Sequence, residues 1–127
     1  MDKLHVLVCV TGQKTCEKLI DEGDRLAKEM DAELSVVHVA KQGAALLGGN
    51  ITEAEALEYL FQISSEHGAD MTVIRSNEVV DTLAAHAGKV GAGLMVMGSP
   101  RKMRRDITEE IRAIMPEMQF RIICTEE

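Results

Sequence analysis

Aromatic side chains are nearly missing from this chain of 127 residues: Tyr59, Phe61 and Phe120 are the whole set, and there is no tryptophan. Surfaces that grip RNA or single-stranded DNA stack bases on such rings, so that mode of binding has almost nothing to work with. A net charge of −7 argues further against nonspecific nucleic-acid binding. Cysteine is sparse too. Cys9, Cys16 and Cys124 have no metal-ligand spacing and no even count for a disulfide framework, which suits a reducing cytoplasm. No apolar run approaches the roughly 20 residues that cross a bilayer, so no membrane association is expected. Met1-Asp2-Lys3 runs straight into a short apolar stretch, and no signal peptide is expected. No Ser-His-Asp set and no carboxylate pair can be placed by spacing. Catalytic residues and metal ligands are therefore assigned to none, and an enzyme such as a slow ATPase ranks a distant third among the readings.

What the chain does have is aliphatic side chains and alternation. At 46% hydrophobic it can bury the core of one domain spanning residues 1–127, built from Met, Leu, Ile, Val and Ala. Its organising stretch is Leu94-Met95-Val96-Met97-Gly98-Ser99-Pro100, an unbroken apolar strand entering a glycine turn. Arg101, Lys102, Arg104 and Arg105 follow, four cations in five residues of an otherwise acidic chain.

Leu4 to Val10 reads as a buried strand ending at Thr11-Gly12-Gln13-Lys14. A helix follows with Cys16, Leu19, Ile20, Leu26, Ala27 and Met30 on one face, capped by Thr15. Leu34 to Val39 is the second strand. The loop Lys41 to Ile51 holds three glycines and is expected to be mobile without ligand. Thr52-Glu53-Ala54-Glu55 is a capping box, opening a helix that should bury Leu57, Leu60, Phe61 and Ser64 and end at Gly68. Asp70 to Arg75 is the third strand. Asn77 is expected to cap the next helix, with Val80, Leu83, Ala84 and Ala87 inside. After the Leu94 strand, Asp106 and Glu109 open a last helix with Ile107, Ile111, Ile114 and Met115 inside, stopped by Pro116. Gln119 to Cys124 is the final strand.

This βαβαβαβαβ order predicts an α/β fold: a five-stranded parallel, doubly wound sheet with helices on both faces. Order 3-2-1-4-5 sets Thr11-Gly12-Gln13 beside Gly98-Ser99-Pro100 at the crevice where the winding reverses. Alternation alone leaves the flavodoxin-like order 2-1-3-4-5 open.

Several segments carry a resemblance: Val-Leu-Val-Cys-Val running into a short polar turn, Lys18-Leu19-Ile20, Ser-Val-Val-His-Val, Asn-Glu-Val-Val-Asp-Thr-Leu and Val-Met-Gly-Ser-Pro-Arg-Lys. The chain resembles the universal stress protein family over nearly its whole length. It is most similar to the stress-protein domain of Kdp-type potassium-sensing histidine kinases. The resemblance implies order 3-2-1-4-5, dimers, and in many members ATP or another adenine nucleotide in the crevice. In nucleotide-binding members an Asp ends the first strand; here Thr11 stands there. They also carry two glycines three apart after strand four, and later a Gly followed by Ser or Thr. Gly98 matches the first glycine, Arg101 replaces the second, and Ile111-Arg112 replaces the later pair. These departures run towards the sensor-kinase type, some of whose members bind cyclic di-AMP.

The expected ligand-binding residues are Thr11, Gly12, Gln13, Gly98, Ser99, Arg101 and Lys102. Glycine turns let backbone N–H groups approach a phosphate, and the cations neutralise it. Against this stand two ordinary strand-to-helix turns and a basic loop that meets acidic protein surface. Cys16 reads first as a core thiol, Cys9 and Cys124 as packing residues, His86 as a helix surface residue. His38, in an apolar strand, reads as a packed histidine with one hydrogen bond. Phe120, Ile122 and Ile123 lie in a predicted edge strand, which would pair with a second copy. The expected function is a stress or potassium and osmotic signalling module, with ATP or cyclic di-AMP as ligand and a sensor kinase or other signalling protein as partner. The competing class is a ligand-free dimeric interaction module that docks through the basic loop.

Overall fold

β1 (His5–Val10) is the axis of the molecule, buried from Val6 to Val10. The computed structural model describes residues 4–10, 16–40, 46–47, 51–99 and 107–124. After β1 come α1 (Cys16–Met30), β2 (Glu33–Ala40), β3 (Leu46–Leu47), β4 (Ile51–Thr52) and α2 (Glu53–Glu66). β5 (Asp70–Arg75), α3 (Val79–Val90), β6 (Leu94–Ser99), α4 (Ile107–Ile114) and β7 (Gln119–Cys124) complete the described elements.

Five strands form one parallel sheet in the order β5-β2-β1-β6-β7. Counting those five alone gives 3-2-1-4-5, so the flavodoxin-like alternative is excluded: β1 pairs with β2 on one side and β6 on the other. Alternation along β1 divides the core. Val6, Val8 and Val10 join Leu19, Ile20, Leu26 and Ala27 of α1 and Leu60 and Ile63 of α2. Leu7 and Cys9 face the other way, with Leu83, Ala84 and Ala87 of α3 and Ile111 of α4. Both faces of β1 are thus dry, which is why its sequence shows no polar alternation.

Side-chain placement corrects the sequence reading in several places. Phe61 is 47% exposed, and Ile63 takes its place in the core. At 3.6 residues per turn, Ile63 lies roughly 60° from Leu60 and Phe61 roughly 100° to the other side; α2 therefore sits rotated towards Ile63. Ile114 is also exposed, because α4 meets the sheet through Ile111, with Met115 and Met118 just beyond its end. Asn77 does not begin α3. The cap position is Glu78, and Ser76 does the polar work: its Oγ accepts from the Glu78 backbone N–H at 3.0 Å and from the Thr82 hydroxyl at 2.8 Å. His86 is buried, not on the surface; burial, together with the nearby charges of Lys89 and His5, holds its imidazole below the usual range.

The connection after β2 also has structure the sequence did not reveal. Leu46 and Leu47 pair antiparallel with Thr52 and Ile51. Residues 41–45 and 48–50, on which the expectation of mobility mainly rests, lie outside the described residues, as do the caps Thr15 and Asp106. α2 begins at Glu53, where the capping box sets it, and Gly68 after its end has φ +70, as a C-terminal cap requires.

Two contacts fix α1. Gly23 is buried directly over Val8, and a Cβ there would overlap the Val8 Cγ2 methyl. His67, just beyond α2, inserts between two α1 carboxylates. Its Nε2 lies 2.7 Å from Asp21 Oδ1 and its Nδ1 2.9 Å from Asp24 Oδ2. Lys28 Nζ adds a contact to Asp24 at 3.2 Å. Burial pushes the Asp24 carboxyl up, but the hydrogen bonds from His67 and Lys28 outweigh it and hold the group below its ordinary value.

Gly23→Ala should force α1 away from β1 and lower stability by about 1–3 kcal/mol in denaturant unfolding; an unchanged midpoint would contradict the close approach. Asp24 contributes stability above its unfolded pKa near 4 and loses it as pH falls through the lower folded value. Asp24→Asn should therefore destabilise the protein at pH 7 and have a much smaller effect at pH 3, measured by unfolding at both.

Candidate functional site

The crevice at the carboxyl edge is made by chain direction. β1 leads through α1 to β2 on one side, whereas β6 leads through α4 to β7 on the other. Two neighbouring parallel strands therefore part company at their ends and leave a gap that no crossover fills, the place where ligands sit in such sheets. Cys9 and Met97 are the last registered pair between β1 and β6, so Val10 and Gly98 stand at the two lips. On the outer sides Val10 is registered with His38 of β2, Gly98 with Ile123 and Ser99 with Cys124 of β7.

Of the ligand residues expected from sequence, Gly98 and Ser99 end β6 at this lip. Thr11, Gly12, Gln13, Arg101 and Lys102 lie outside the described residues, together with Arg104 and Arg105. The last described residue before the first turn is Val10, immediately across from Gly98.

Beneath the crevice the chemistry is inert on one side and polar on the other. Cys9 faces the α3 and α4 core, and burial pushes its thiol up to about 12, so it is a packing group rather than a nucleophile. His38 is 4% exposed at the carboxyl end of β2. Its Nδ1 lies 3.0 Å from the Val10 carbonyl oxygen, the single hydrogen bond anticipated for it. Its Nε2 is buried with no hydrogen-bond partner among the described residues. The sequence marks this residue only as a polar interruption in an apolar strand and does not tie it to the crevice.

Among the described residues, two surface grooves open elsewhere. One, about 500 Å³, lies between α1 and β7 and is lined by Glu17, Lys18, Glu22, Arg25 and Ile123. The other, about 430 Å³, lies between the start of α3 and α4, with Glu78, Asp81, Glu110 and Ile114. Neither includes Val10 or Gly98. Among the described residues no group of three or more His, Cys, Asp or Glu could hold a metal ion, and no helix is long and apolar enough to cross a membrane.

Comparison with known proteins adds the family. The model of the universal stress protein family matches residues 4–111. The chain belongs to the universal stress protein family. Among curated relatives it is 32% identical over 100 residues to the sensor protein KdpD of Mycobacterium tuberculosis, covering 79% of this chain but 11% of that protein. The chain thus spans about a tenth of the sensor's length. Two solved structures share the fold at low identity. A universal stress protein in complex with cAMP superposes with a TM-score of 0.66 at 14% identity, covering 99% of this chain and 98% of the other. The universal stress protein of Archaeoglobus fulgidus in complex with dAMP gives 0.59 at 19% identity and 98% coverage of both chains.

Proposed function

We propose that this stress protein is a regulatory module that binds an adenine nucleotide, of the ATP or cyclic di-AMP class, in the crevice between β1 and β6. The observation that carries the reading is the reversal of winding at Val10 and Gly98, which opens the carboxyl edge beside a glycine. Solved relatives of the same fold hold cAMP and dAMP, which supports a nucleotide as the ligand class. In this reading Thr11, Gly12 and Gln13 on one lip and Gly98 and Ser99 on the other bring backbone N–H groups to the phosphates. Arg101 and Lys102 supply the charge. Thr11 stands where nucleotide-binding members carry Asp, so affinity leans on the phosphates and falls as salt rises. The likeness to a potassium sensor suggests a cytoplasmic role in stress or osmotic signalling, with a sensor kinase or other signalling protein as partner.

The module acts as a homodimer through β7. That strand pairs only with β6 in the described sheet, and Ile122 is 43% exposed along it. Phe120 lies under the Arg112 guanidinium, 4.9 Å from the ring centroid, and Ile123 packs on the core. A second β7 would satisfy the open backbone edge and cover Ile122.

Calorimetric titration of wild type, Arg101→Ala and Arg105→Ala with ATP and with cyclic di-AMP tests the site. Arg101→Ala should weaken binding by roughly 1.5–3 kcal/mol, the range for a charge-assisted hydrogen bond, and Arg105→Ala by less. If wild type binds neither ligand at millimolar concentration, the interaction-module reading replaces this one. Light scattering at micromolar concentration should give a dimer mass; a strict monomer would remove the β7 pairing.

A further inference from the structure

Nearly every buried polar atom in a native protein has a partner, and an exception marks strain, a catalytic role or a group not yet bound. Two side-chain atoms are such exceptions among the described residues, Ser64 Oγ and His38 Nε2. Ser64 lies in the last turn of α2, which leads to the amino edge of the sheet, away from the crevice. His38 lies at the carboxyl edge itself.

The tautomer of His38 follows from its one bond. A carbonyl oxygen only accepts, so Nδ1 carries the proton and donates to Val10 O at 3.0 Å. In the neutral ring Nε2 is then a bare lone pair, buried and without a partner among the described residues. It can accept a hydrogen bond but cannot donate one. Leu34 and Val36 face the α1 and α2 core, so at a period of two His38 lies on that same face. It is also the last β2 residue registered with β1. From β2 to β6 is two strand spacings, about 10 Å, a span that a nucleotide with its phosphates at Gly98 would cover.

We infer that His38 is a specificity-determining residue of the crevice, whose Nε2 accepts a hydrogen bond from the nucleoside end of the bound ligand. The inference rests on the proposed nucleotide site and deepens it. The chemistry demanded of the ligand is a hydrogen-bond donor, either the exocyclic amine of adenine or a ribose hydroxyl. A group presenting only acceptors would face the lone pair and be rejected.

His38→Asn separates this role from a structural one. The Asn amide can still donate to the Val10 carbonyl from the position of Nδ1, but it has nothing at the position of Nε2. Binding of ATP to wild type and His38→Asn is measured by calorimetry, alongside thermal unfolding and nitrogen-15 NMR of the wild-type imidazole. The free protein should show the Nδ1–H tautomer, and the Nε2 resonance should shift on saturation with ATP. His38→Asn should melt close to wild type and bind ATP at least tenfold more weakly. In wild type, loss of affinity for inosine triphosphate assigns the donor to the amine, and loss for 2′,3′-dideoxy-ATP assigns it to the ribose. ATP binding with an unmoved Nε2 resonance, equal affinity for all three nucleotides, or a protonated Nε2 in the free protein would overturn the role of His38 while leaving the nucleotide site standing. No binding of ATP or cyclic di-AMP by wild type would remove both.

Discussion

Burial of β1 on both faces and along both edges is the constraint on which the rest of the structure depends. A strand with β2 on one side and β6 on the other has no free backbone groups along its paired length. With Val6, Val8 and Val10 turned to one helix layer and Leu7 and Cys9 to the other, it belongs to both cores at once. Each fully buried valine of this kind contributes on the order of 1.5–3 kcal/mol relative to exposure. The same centrality creates the crevice, because right-handed crossovers must leave β1 and β6 in opposite directions.

Tight packing around this strand limits what the helices can carry. Gly23 brings α1 against Val8 closely enough that a methyl group has no room. α1 is then tied to the end of α2 by His67, set between Asp21 and Asp24, while Lys28 on Asp24 and Arg25 bridging Glu22 and Glu29 are pairs within α1 itself. The exposed pairs among these are screened and contribute little singly. The His67 contacts differ because they join α1 to the end of α2 and are partly buried. The carboxyl edge, where the nucleotide is proposed to bind, thus rests on a closely packed base, while the residues proposed to contact the ligand stand at strand ends and in the turns beyond them. That division is the usual one in open parallel sheets.

Polar groups inside the two cores serve different ends. Ser35 is buried and paired with His5 Nε2 at 2.6 Å near the amino edge. His38, three residues on, lies at the other edge with one nitrogen satisfied and one not. The contrast between two polar side chains on one strand is between a paired one and one that keeps an unpartnered nitrogen among the described residues.

The succession of strands and helices along the chain was legible in the sequence because it follows from periodicity, capping residues and turn glycines, all local in origin; the order of the strands across the sheet was not, since alternation left 2-1-3-4-5 open and only the family resemblance pointed to the observed order. β5 and β7 fall at Asp70 to Arg75 and Gln119 to Cys124, as read from the sequence, and β6 begins at Leu94 but runs two residues past the apolar run that ends at Met97. The family was legible because its motifs lie on those same elements. The exact face that a helix buries was not: Phe61 and Ile114 satisfy a helical stripe as well as their neighbours do, and only the angle at which α2 and α4 meet the sheet leaves them in water. His86 is the converse, a polar residue on the flank of α3 that tertiary packing encloses. The place of Gly98 at the end of a buried strand could be read from the chain, but the turn expected there could not: Gly98 and Ser99 continue β6 in register with Ile123 and Cys124 of β7. The orphaned nitrogen of His38 could not, because whether a buried group finds a partner depends on atoms far apart in sequence that only the folded chain brings together.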